Sequence, residues 1–96
     1  MDTFKVAHVC EQGVDLVIIP LDSAFGHRTP AEQRRVSTLL QACASSAGLK
    51  GTVVPVREHG DGRMAFLAPR EFHPFFRSID LSFVMANINR TLTCGF

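Results

Sequence analysis

Residues 14–36, VDLVIIPLDSAFGHRTPAEQRRV, constrain the fold more than any other stretch of the chain. The apolar run Val14–Leu21 holds Val17, Ile18 and Ile19, three consecutive β-branched residues. Successive strand residues point to opposite faces of a sheet, so a strand built from this run is apolar on both sides. Both faces should be largely covered, and a central place in the sheet is the simplest cause. Thr29-Pro30-Ala31-Glu32 then announces a helix: Thr29 is a good N-cap, Pro30 has the backbone angle of a first helical residue, and Glu32 completes a capping box. Val36, Leu39, Leu40, Cys43 and Ala47 recur at helical spacing and make one apolar stripe, while Arg34, Arg35, Thr38, Gln41 and Ser45 fall mainly elsewhere. The spacing predicts a helix from Pro30 to about Ala47, closed by Gly48 in a left-handed cap with Leu49 as its apolar partner.

The remaining segments follow from the same rules. Phe4 to Cys10 alternates as a strand, with Phe4, Val6, His8 and Cys10 on one side, and Glu11-Gln12-Gly13 supplies a turn into Val14–Leu21. Thr52–Glu58 and Arg63–Ala68 read as a second hairpin joined by His59-Gly60-Asp61-Gly62. Pro55 has no N–H for a ladder, which puts its strand at or near an edge. After Pro69 comes an irregular or single-turn segment dense in Phe. Ser78 or Asp80 then caps a last helix to about Leu92, with Leu81, Val84, Met85, Ile88 and Leu92 facing inward and Asn87, Asn89 and Arg90 outward. The expectation is a single domain, residues 1–96, of α+β class and order ββαββα. It has a four-stranded, mainly antiparallel sheet with two helices on one face, and parallel pairing of the second and third strands is left open.

Composition narrows the class. With 46% hydrophobic and 20% charged residues the chain is globular rather than disordered. No run approaches the roughly 18–20 apolar residues of a membrane span. The opening MDTFKVAHVC lacks the basic start of a secretory signal and enters alternation at once, so a cytoplasmic protein is expected. Cys10, Cys43 and Cys94 are an odd number with no CxxC pair and read as free thiols, Cys94 being the most reachable. The net charge of +1 is skewed: residues 1–26 carry −3 and residues 27–96 carry +4, with arginine dominant. Arginine suits two-pronged contact with carboxylate or phosphate, yet the near-neutral total lacks the footprint of a dedicated nucleic-acid binder.

Two segments are candidates for function. The first is Asp22, Ser23, His27, Arg28 and Thr29, on a loop longer than a bare strand-to-helix link needs. There Arg28 and the helix start would offer donors to a small anionic ligand. No GxxxxGK or GxGxxG cradle accompanies it, and capping by Thr29, an Asx-turn at Asp22 and a core plug at Phe25 account for the same residues. The second is Phe72, His73, Phe75, Phe76 and Arg77, either an interaction patch or, in a chain without Trp or Tyr, the bulky filler of the core. His8, His27, His59 and His73 show no HxH, HxxxH or HExxH spacing, so neither a metal nor any other cofactor is expected, and His8 reads as a hydrogen-bonded core imidazole. Ser23 with His27 and Asp61, or Cys94 with His73, can be written as triads, but no nucleophile motif supports them.

Three function classes remain. The favoured one is a small ligand-binding or protein-interaction domain that associates with itself as a homodimer. The second is single-stranded RNA or other nucleic-acid binding on a sheet face, aided by Arg57, Arg63, Arg70 and Arg77. It is less favoured, because the strands offer only Phe4 and Phe66 for stacking. The third is a small enzyme using the Asp22–Thr29 and His59–Asp61 loops. A pocket joining residues 22–29 to residues 57–63 or 70–77, with a bound anion, would favour a ligand site or an enzyme.

Overall fold

The computed structural model, which describes residues 2–60 and 62–95, turns the Val14–Leu21 run into the middle strand of a sheet. Strand β1 spans Asp2–Glu11, β2 Val14–Pro20, β3 Thr52–His59, β4 Arg63–Phe66 and β5 Arg90–Cys94. Helix α1 spans Pro30–Ser46, and two short helices, α2 (His73–Ser78) and α3 (Leu81–Ala86), follow β4. Along the sheet the order is β4-β3-β2-β1-β5. The β1/β2, β1/β5 and β3/β4 pairs are antiparallel, while β2 and β3 run parallel, joined by the α1 crossover. Among the described residues no helix is long and apolar enough to cross a membrane.

The class is α+β, as expected, but the arrangement differs in three respects, the first being that α2 makes a third helix where an irregular or single-turn segment was expected. The helices do not share a face. Val6, Val17, Ile19 and Val53 pack with Leu40 and Ala44 of α1, whereas Ala7, Leu16, Ile18, Val54 and Val56 pack with Phe76 of α2 and Val84 of α3. The cause lies in β2, whose residues Leu16 to Ile19 are all 2% exposed or less. One layer of helices covers only alternate side chains of a strand, so a second layer must cover the others.

The sheet also has five strands rather than four. The expected last helix ends at Asn87, which closes α3 by bonding back to Phe83 and Val84, and the chain then returns as β5. Asp80 does cap α3, its Oδ1 accepting from Phe83 N–H at 2.9 Å. Thr91 and Thr93 are exposed while Leu92 and Cys94 are 2% and 1% exposed, an alternation of period two that overrides the helical spacing of Ile88 and Leu92. The cysteines are likewise rearranged. Cys43 and Cys94 form a disulfide, with Cα atoms 5.9 Å apart, so Cys94 is a buried partner rather than the most reachable thiol, and Cys10 is the exposed free one.

The α1 helix follows its sequence signals: Thr29 Oγ1 accepts from Glu32 N–H at 3.2 Å, and Leu49 N–H closes the other end on the Ala44 carbonyl. Polar side chains complete the sheet where the outer strands stop short. The side-chain amide of Gln41 donates to the Gly51 carbonyl at 3.0 Å and accepts from Val53 N–H at 2.8 Å, covering β3 beyond the end of β4. Asn89 does the same for β1 beyond β5, accepting from His8 N–H and donating to the His8 carbonyl, both at 2.9 Å. His8 itself is half-buried, its Nε2 2.7 Å from the Lys50 carbonyl. Pro55 is fully buried in β3, which is second from the edge. Its carbonyl accepts from Leu67 N–H past the end of β4, on the side where no ladder donor is required.

Two measurements check this reading. Gln41→Ala strands the Val53 N–H, in a residue only 3% exposed, and should cost about 1–3 kcal/mol in urea unfolding, with faster hydrogen exchange at the Val53 amide. Gly51 has φ +123°, and a Cβ there would collide with the backbone carbonyl of Asp15. Gly51→Ala should therefore cost more than about 1 kcal/mol, and an unchanged midpoint would contradict the close approach of the two chains.

Candidate functional site

Because β2 and β3 are parallel, their carboxyl ends lie side by side at one rim of the sheet, the end at which parallel strands present ligand sites in open α/β sheets. Leu21 N–H donates to the Val56 carbonyl at 2.8 Å, so the pairing carries one residue past β2. The chain then enters a 3-10 turn, Ser23–His27, that packs over β3 before α1 begins. Asp22 starts the turn, its Oδ1 accepting from Ala24 N–H at 2.8 Å, and Phe25, 7% exposed, is its apolar anchor. Gln33 fastens the far side, its amide donating to the carbonyls of Phe25 and Arg28 at 3.2 Å each. The turn is thereby fastened above the end of β3.

Beneath it lies Arg57. It follows Val53 and Pro55 by the alternation of the strand and faces the α1 side, but it stands past the helix and is half-buried by the turn instead. The approach is close at Gly26: a Cβ there would stand 2.6 Å from Cζ and Nη1 of Arg57. Only a residue without a side chain leaves the guanidinium its place. Arg57 makes no hydrogen bond or ion pair among the described residues, so its five N–H donors are uncommitted. Ser23, Gly26 and His27 from the turn, together with Arg57, Glu58, His59 and Gly60, line a crevice of ≈ 450 Å³ at this point. That volume is within the range of small-molecule sites.

The expected loop site is thus divided. Ser23 and His27 face the crevice with Arg57 and His59. The side chains of Asp22 and Thr29 are occupied as caps of the turn and of α1. Arg28 lines a separate depression with Glu32 and Arg35. The start of α1 has little left to offer an anion: Pro30 has no N–H, Glu32 N–H is bonded to Thr29, and Gln33 N–H is bonded to the Thr29 carbonyl. Arg57 and His59 were legible as members of the basic second half and of the His59–Asp61 loop, and a pocket joining residues 22–29 to residues 57–63 was one of the arrangements expected to favour a ligand site or an enzyme. The signal that marks them is a charged residue directly after the buried run Val53–Val56, where a strand leaves its cover.

The aromatic segment is packed against the sheet. Phe76 is 1% exposed and stacks near Phe66 and Phe75, with ring centroids 5.4 and 5.2 Å away. Phe72 and Phe75 are half-buried against the same core, His73 Nε2 lies 2.9 Å from the Ala68 carbonyl, and Arg77 is exposed. Phe4 packs on the α1 side and Phe66 on the α2 and α3 side, and both faces of the sheet carry helices. Asp61, the third member of one triad, lies outside the described residues, and Cys94 of the other is bound to Cys43. Among the described residues no three His, Cys, Asp or Glu side chains converge as metal ligands. No protein-family model, no curated protein and no solved structure matches the chain.

Proposed function

We propose that this chain is a small ligand-binding domain whose crevice, between the Ser23–His27 turn and the end of β3, takes a carboxylate or phosphate group. The observation that carries the reading is the half-buried Arg57, whose guanidinium has no partner among the described residues. A planar fork of donors, partly withdrawn from water in a crevice that two histidines also line, is matched by an oxyanion that accepts two hydrogen bonds at once. His27 and His59 line the same crevice and would offer a further bond, and Glu58, also lining it, disfavours a ligand with negative charge spread over a wide area. A cytoplasmic setting belongs to the same proposal and is supported by the exposed free thiol of Cys10. In that setting a disulfide is usually reversible, which bears on Cys43 and Cys94.

Inorganic phosphate titrated into the labelled protein should move the amides of residues 23–27 and 57–60 in NMR spectra. Arg57→Gln should weaken this binding about tenfold or more, the loss of roughly 1.5–3 kcal/mol expected for a charged hydrogen bond. Gly26→Ala, which displaces the guanidinium, should act in the same direction. Loss of binding with Arg28→Gln and not with Arg57→Gln would move the site to the start of α1 and defeat the proposal.

Self-association is a second reading, favoured by Phe83 and Met85 on α3, which are 36% and 49% exposed. Met85 and Leu81 also line a depression with Phe4 and Leu21, so the apolar surface continues across the rim of the sheet. Sedimentation should then show a dimer that Phe83→Ser converts to monomer, and a monomer at every concentration of the unaltered chain rejects this reading.

A further inference from the structure

We propose that the Cys43–Cys94 pair is an exchangeable dithiol/disulfide couple, entered by low-molecular-weight thiols at Cys43. The bond joins the last part of α1 to the edge strand β5, 51 residues further along the chain. The two cysteines are unequally buried. Cys94 is 1% exposed, beneath α1 among Val6, Leu40 and Leu92, whereas Cys43 is only partly buried, packed at the border of the same cluster. A nucleophile needs an open line to the sulfur it attacks, so only Cys43 is addressed.

The step balances as a thiol–disulfide exchange. An incoming thiolate bonds to Sγ of Cys43, the Cys43–Cys94 bond breaks, and Cys94 leaves with the electron pair and takes a proton from water. A second thiol attacks the outer sulfur of the mixed disulfide and releases Cys43 as a thiol. The sum is two small thiols oxidised to their disulfide and one protein disulfide reduced to two thiols.

Two features make the opening reversible rather than an unfolding event. Sγ of Cys43 lies 3.5 Å from the Thr93 carbonyl, so the reduced thiol has a hydrogen-bond acceptor already in position. Strand β5 is held independently of the disulfide by its ladder to β1 from Asp2–Cys94 to Val6–Arg90, by the Asn89 bonds to His8 and by Leu92, 2% exposed. The sulfurs therefore stay close enough to close again. Cys10 does not compete for either of them: Cys94 pairs opposite Asp2, and Cys10 stands eight residues further along β1, roughly 27 Å away at strand spacing.

The test uses the full chain carrying Cys10→Ser, incubated with millimolar reduced glutathione, quenched in acid and mapped by peptide mass spectrometry. The expected result is a glutathione adduct on Cys43 exceeding that on Cys94 by about tenfold or more, followed by full reduction without loss of the folded circular-dichroism spectrum. An adduct chiefly on Cys94, or a bond that survives until denaturant is added, overturns the proposal. With oxidised glutathione, Cys94→Ala should be labelled at Cys43 and Cys43→Ala should stay unlabelled at Cys94. Equal labelling of the two variants also overturns it, and the mapping on the Cys10→Ser chain stands whether or not either variant folds.

Discussion

The architecture depends on one strand being buried from both sides. Leu16 and Ile18 look one way along β2, Val17 and Ile19 the other, and none of the four reaches water to any extent. The hydrophobic effect scales with apolar area removed from solvent, about 25 cal/mol per Å², so leaving either pair uncovered would forfeit several kcal/mol. Everything else is arranged to prevent that: β1 and β3 flank the strand, α1 crosses over one face, and the α2–α3 segment closes the other. The crossover itself makes β2 and β3 parallel, and parallel strands place two carboxyl ends, with the loops that follow them, at the same rim. The position of the crevice is thus a product of the packing of β2, several residues removed from any group that lines it.

Helices and strands of unequal length leave backbone groups unmatched, and here side-chain amides match them. Gln33, Gln41 and Asn89 each carry both a donor and an acceptor, and each bonds to backbone that the regular ladders do not reach. None of the three is long-range in charge or bulky in packing. Their work is local geometry, and it fixes the turn above Arg57, the start of β3 and the middle of β1.

Much of this was legible in the residues, and the failures have physical causes. The TPAE start of α1, the two hairpins and the caps at Asp80 and Gly48 are local signals, set by groups a few residues apart, and the folded chain obeys them. The pairing of Cys43 with Cys94 and the return of Arg90–Cys94 as a strand depend on contacts spanning most of the chain, for which spacing in sequence carries no information. The split of the helices was implicit in Val17-Ile18-Ile19, whose two apolar faces cannot both be served from one side. The site was legible in half. Ser23 and His27 stand out on an overlong loop, while Arg57 and His59 join them only because the crossover brings β3 beneath that loop. Gln41 and Asn89 sat on the polar side of their helical wheels, and a wheel does not reveal that a polar side chain is aimed at a neighbouring strand.

The amide covers at Gln41 and Asn89 have one more consequence. An unpaired stretch of strand is a template on which another polypeptide can add itself, and short outer strands such as β4 and β5 leave such stretches on their inner neighbours. Here the bare segments at Gly51–Val53 and His8 already hold a glutamine and an asparagine in the positions a newcomer would occupy. Growth of the sheet by recruitment of foreign chains is blocked at both places by side chains of one carboxamide each, and the protection lasts only as long as those amides escape hydrolysis to acids, which would keep the acceptor and lose the donor.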